Sequence, residues 1–162
     1  MRRVLPSLAV AALALALTSC SSVVGSDAPD AVRDEAGAVV TAGVVDPFSL
    51  RKGDCLLSPD GDRIADVELV PCGEVHDLEV FHVVDQPGEE YTSRNTLLAQ
   101  AKAACDIEFP NTIGISYGAS ALEYRSLVPS EVSWRHGDRT LVCAVFDPTT
   151  GPAAGTLFGA AR

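Results

Sequence analysis

The sequence predicts an α+β domain: a small antiparallel sheet with one main helix packed on it and two disulfides as staples. Three observations carry this expectation. Hydrophobic periods follow one another in the order three strands, one helix and two strands, which suits a helix lying on one face of an antiparallel sheet. Four cysteines, Cys55, Cys72, Cys105 and Cys143, remain once one near the N-terminus is set aside, the arithmetic of two disulfides in an exported domain. The chain has 162 residues with 13 glycines, 10 prolines and only 6% aromatics, as expected of one small, loop-rich domain with appendages.

Taken in order, residues 1–19 read as an export signal. Arg2 and Arg3 give a short positive start, and an apolar run from Leu8 to Leu17 follows. That run is about ten residues long, against roughly 20 for a membrane-spanning helix. Leu17-Thr18-Ser19-Cys20 resembles the lipobox of bacterial lipoproteins. The implied chemistry is a diacylglycerol thioether on the Cys20 sulfur and cleavage before it. Two acyl chains give stable anchoring where one would be marginal. The expected location is the extracytoplasmic face of a cell membrane, held by that lipid. Residues 20–46 carry Ser, Gly, Ala, Val and Asp without an aromatic and are expected to be a tether. A short packed N-terminal helix is the alternative there. The folded domain is expected over residues 47–162.

Within that domain, residues 53–57 and 64–70 read as short strands joined by a Pro59-Asp60-Gly61 turn. Leu78 to Val84 is apolar on both faces and reads as an interior strand. Residues 93–109 read as a helix, with Leu97, Ala101, Ala104 and Cys105 on one face, and Pro110 is expected to stop it. Asn111 to Ala119 reads as loop and Leu122 to Val128 as a strand. Pro129-Ser130 opens a helical turn with Ser130 as N-cap, and Gly137 ends it. Arg139 to Phe146 reads as the last strand, with Leu141, Cys143 and Val145 alternating on one face.

Four cysteines allow three connectivities. Cys55–Cys72 with Cys105–Cys143 is preferred. Cys55 and Cys72 bracket one local strand–turn–strand unit. Cys105 points inward from the helix toward the face on which Cys143 lies. Each closed loop would contribute on the order of 2–4 kcal/mol, and a domain of this size buries a core of its own.

Charge excludes some partners. The formal net charge is −10, and loss of Arg2 and Arg3 with the signal leaves ten basic against twenty-two acidic residues. Nucleic acid is excluded as an expected partner, because binding it depends on Lys and Arg at phosphates. Anionic headgroups and phosphate-rich polymers are repelled as well.

Several spaced patterns then line up: Gly53-Asp54-Cys55; Val70-Pro71-Cys72 followed by His76 and Glu79-Val80; Cys105 near a helix end; and Pro129-Ser130, Trp134, Gly137-Asp138-Arg139 and Cys143. As an ordered set they resemble the septum formation domain family of actinobacteria, over roughly residues 48 to 159. The resemblance implies an extracytoplasmic domain, on a lipoprotein or a single-pass membrane protein, associated with division septum formation. It carries over no catalytic or binding residue.

The candidate site residues are His76, Glu79, Trp134, Asp138 and Arg139, as a binding surface if the two staples bring them together. His76 and Glu79 beside Cys72 would form a polar site, with His76 as acid, base or pH sensor; a hydrogen-bonded structural histidine is the simpler expectation. His76 and His82 would share a strand face only if the strand began that early, and two ligands do not close a zinc site. Asp60-Gly61-Asp62 hints at calcium but lacks the longer ligand loop, so an exposed turn is expected. Trp134 either caps the core above a turn organised by Asp138 and Arg139, or anchors a recognition surface. No Gly-x-Ser-x-Gly elbow is present. No cofactor or metal is implied. The expected function is a non-enzymatic binding module for envelope or division proteins; the alternative is an envelope-acting enzyme using His76 and nearby carboxylates.

Overall fold

The computed structural model describes residues 29–59 and 66–162. The expected signal peptide, Cys20 and the Asp60-Gly61-Asp62 turn lie outside the described residues. The strands are β1 (Val32–Arg33), β2 (Val39–Thr41), β3 (Gly43–Val45), β4 (Cys55–Leu56), β5 (Val67–Val70), β6 (Leu78–Asp85), β7 (Glu123–Leu127) and β8 (Thr140–Phe146). The helices are α1 (Arg94–Ile113) and α2 (Glu131–Arg135). β1 and β2 form a separate hairpin, and the other six make one sheet in the order β3-β5-β4-β6-β8-β7. Every neighbouring pair in it is antiparallel. The α+β class, the main helix and both staples are those the sequence predicts.

Helix α1 lies on one face because its apolar residues recur every four positions. Leu97, Ala101, Cys105, Phe109 and Ile113 are all buried, a stripe that a 3.6-residue repeat keeps on one side. Phe109 meets Phe81 of β6 edge to face, with centroids 5.6 Å apart. Leu141, Cys143 and Val145 of β8 face the same layer. The register of β6 steps from Val80–Ala144 to His82–Cys143, so Phe81 is an inserted bulge residue. The opposite face holds Leu56, Leu69, Leu78, Val80, Val142 and Ala144, with Ala31 and Val39 packed against it.

Cys55 is bonded to Cys72 and Cys105 to Cys143. The second bond joins the buried stripe of α1 to the middle of β8, as side-chain direction requires.

Two expectations need correction. Pro110 does not stop the helix; α1 runs through it to Ile113. Proline removes one backbone donor and crowds the preceding turn. Burial of Phe109 and Ile113 in the aromatic layer outweighs that cost. The stop comes at Gly114, whose φ of +94° is the left-handed conformation that favours glycine, and its N–H donates to Pro110 O at 3.0 Å. The stretch expected as loop after Pro110 therefore begins as helix and contains a 3₁₀ turn at Tyr117–Ala119.

Residues 29–46, expected as tether, hold the hairpin and edge strand β3. Their order comes from distant contacts. The Arg33 guanidinium grips both carboxylate oxygens of buried Asp54, at 2.5 and 2.8 Å. Gly43 leaves room for the backbone of Pro29–Ala31, which passes 2.5 Å from where a Cβ would stand. Short strands held by such partners leave little periodic signal.

Candidate functional site

The two groups of candidate residues lie at opposite ends of the β6–β8 pair. Glu79 sits opposite Val145, whereas Thr140, next to Arg139, sits opposite Asp85. Five residues of strand, about 17 Å, separate the two positions. The staples do not bring the groups together, because Cys143 lies between them on β8.

At the first end, His76 is 5% exposed. It exchanges both backbone hydrogen bonds with Ala153, each at 3.1 Å. Its Nδ1 lies 2.9 Å from Glu74 O; a carbonyl only accepts, so Nδ1 carries the proton there. Glu79 is 2% exposed, and its side chain leaves β6 to meet the C-terminal segment. Oε1 accepts from the Thr156 hydroxyl and Oε2 from the Leu157 N–H, both at 2.6 Å. Gly155 N–H donates to Cys72 O at 2.7 Å. This corner is a seam that fastens residues 153–157 to the Cys55–Cys72 unit. Glu79→Gln keeps one acceptor but can set an amide N–H against the Leu157 N–H. The expected loss is about 1–3 kcal/mol, with faster amide exchange at Leu157; unchanged exchange there would show that Glu79 does not hold the segment.

The Cys55 and Cys72 sulfurs and a Glu79 oxygen lie within 4.8 Å of one another. The sulfurs are bonded together, so they offer no thiolate to a metal. His76 precedes β6 and the Phe81 bulge intervenes, so His76 and His82 do not form the strand-face pair considered from the sequence.

At the other end, Trp134 is 4% exposed in a cluster with Leu97, Ala101 and Leu141. Its indole N–H donates to Glu89 O at 2.8 Å, and Tyr91 meets the ring edge to face. Arg139 lies 4.0 Å above the ring and donates to Trp134 O, Asp138 O and Gly88 O. Asp138 accepts from the Ser133 hydroxyl and the Thr140 N–H. Burial raises its carboxyl pKa, opposed by the Thr140 amide and the Ser133 hydroxyl. Ser130 caps α2 as expected, and its hydroxyl and that of Ser133 serve one another's backbone in a capping box. Gly137 follows with φ +97°. These residues join α2 to β8.

Two polar positions escape the sequence reading. Asp54 takes Arg33 and the Arg51 N–H; its only signal is its place in Gly53-Asp54-Cys55. Buried Asp147 accepts the Thr149 and Thr150 amides, legible as the turn Asp147-Pro148-Thr149-Thr150-Gly151. Those amides, Thr150 first, hold its carboxyl at about 2, helped by Arg162 at 2.8 Å. Asp147 also lines an open cleft of about 120 Å³ with Ser58, Asp77, Arg125 and Phe146. Arg125 there donates to Ser58 Oγ at 3.2 Å.

Among the described residues no helix is long and apolar enough to cross a membrane. No curated protein and no solved structure matches the chain. The septum formation family model matches residues 52–159, from just before the first staple to just beyond the Glu79 seam. The match spans both disulfides and both ends of the β6–β8 pair, and the chain belongs to the septum formation family.

Proposed function

We propose that this protein is a lipid-anchored extracytoplasmic lipoprotein whose domain acts by binding, as a non-enzymatic module in envelope or septum assembly. One observation carries the reading. The polar residues best suited to chemistry are engaged in holding the fold: His76 through its backbone and Glu79 through its carboxylate fasten the C-terminal segment, the His76 ring bonds to Glu74 O, and Asp138 and Arg139 fasten α2 to β8. A general base or nucleophile works through an atom that can reach a substrate proton or carbon, and both Glu79 oxygens, both Asp138 oxygens and the Nδ1 of His76 are taken by backbone and neighbouring side chains. Family membership supports the envelope and division setting. The Leu17-Thr18-Ser19-Cys20 pattern supports the lipid anchor.

The two halves of the reading are tested separately. Cys20→Ala is expected to block lipidation and signal peptidase processing together, read by mass and by loss of membrane retention. A mutant still cut at the same place and retained would refute the anchor. For the domain, the full chain is incubated with cell-wall precursors and glycan strands, and no turnover is expected. Turnover abolished by His76→Ala with an unchanged melting temperature would install the enzyme reading instead.

A further inference from the structure

The two edges of the sheet are treated differently. Along β3 the segment Pro29–Ala31 lies as a cover: Val44 N–H donates to Pro29 O at 2.9 Å and Ala31 N–H to Val44 O at 3.3 Å. At the other edge, no strand pairs with the outer side of β7 among the described residues. An antiparallel strand turns the N–H and C=O of alternate residues to each side, so an uncovered edge presents donors and acceptors. Edges are usually blunted by proline, charged side chains (lysine above all), a bulge or short length. β7, with the sequence Glu-Tyr-Arg-Ser-Leu, has no proline, lysine or bulge, and its two charges are of opposite sign. Its pairing with β8 runs unbroken from Glu123–Phe146 to Leu127–Val142.

The side-chain order supplies a second, independent observation. Exposed Glu123 and exposed Arg125 flank half-buried Tyr124. When two copies of this strand lie antiparallel about Tyr124, Glu123 of each faces Arg125 of the other. Two opposite-charge cross-strand pairs result, a favourable arrangement. Centring the pair on Arg125 instead sets arginine against arginine, so charge selects the register. The Tyr117 ring packs on Tyr124 with centroids 4.6 Å apart, and its hydroxyl donates to Glu123. Arg125 donates to Ser58 Oγ at 3.2 Å within the single chain, an exposed bond that it exchanges for the cross-strand pair.

We propose that β7 docks on β7 of a second copy of this chain, antiparallel about Tyr124, joining two six-stranded sheets into one. This deepens the binding-module reading and rests on it, naming the chain itself as a partner. The local charge pairs offset the repulsion between two acidic chains.

The experiment uses the full chain purified in detergent and native mass spectrometry. Wild type is expected to dimerise at micromolar concentration. Glu123→Arg and Arg125→Glu each place like charges opposite one another, and each is expected to weaken self-association about tenfold or more. Co-expressed under different tags, these two variants are complementary and should co-purify. The double swap Glu123→Arg with Arg125→Glu restores complementarity and should dimerise again. Far-UV circular dichroism and melting confirm that each variant is folded. A monomeric wild type overturns the proposal, including the case where a strand of another protein occupies the edge. So do single variants that associate like wild type, or a double swap that stays monomeric. None of these results bears on the enzyme alternative, which the His76→Ala turnover test decides by itself.

Discussion

Trp134→Ala is expected to lower the unfolding free energy by about 3–5 kcal/mol. Against a typical total of roughly 5–15 kcal/mol, that leaves a marginal domain. The size of the loss follows from what the ring holds. Its body fills the cluster of Leu97, Ala101 and Leu141, so truncation opens a cavity where α1 meets β8. Its N–H satisfies Glu89 O, which would be left without that donor. Arg139, stacked 4.0 Å above the ring, loses its platform while its own bonds to the turn remain. Urea unfolding measures the effect. A folded domain with a loss below about 1 kcal/mol would mean that the cluster repacks around the gap, and Trp134 would return as a candidate for recognition.

Removing the second staple by Cys105→Ala with Cys143→Ala is expected to cost about 4 kcal/mol, and Cys55→Ala with Cys72→Ala about 3 kcal/mol. The ranking comes from loop length: the bonds close 38 and 17 residues of separation. The urea slope should also rise in both variants, because an uncrosslinked chain exposes more surface when unfolded. A ranking in the opposite order would show that native packing around each bond, and not loop closure, sets its contribution.

The staple pairing was legible because both ends of the long bond sit in strongly periodic segments. The α1 stripe and the β8 alternation each fix where a side chain points, and Cys105 and Cys143 fall on the facing sides. The α2 cap was legible for a similar reason, since Ser130 after Pro129 and Gly137 at the far end are local signals. β1, β2 and β3 were not legible: two or three residues carry no period, and Arg33, Asp54 and Gly43 act across the fold. Pro110 misled because its local preference is real and was outweighed by the burial of Phe109 and Ile113. The candidate surface was misjudged through distance. Pairing says which strands are joined, but not how far along β6 and β8 the two polar groups stand. His76 and Glu79 were legible as polar residues in a special place, but the segment they hold is more than seventy residues away.

The sheet order also lays out a load path. In the proposed anchored form, a pull from the membrane would enter the described domain at Pro29, and the first elements to meet it would be the hairpin and β3. Arg33–Asp54 is the first polar catch, and β3 can then be peeled from β5 one hydrogen bond at a time, as a zipper opens. Peeling then meets Cys55, covalently tied to Cys72, so stretching cannot extend the segment between them without breaking a bond. Beyond it, α1 is riveted to β8 at Cys105–Cys143. Under tension the anchored side yields as an extensible lead while β6, β8 and the outer strand β7 keep their arrangement, so whatever engages β7 is shielded from a pull on the membrane end.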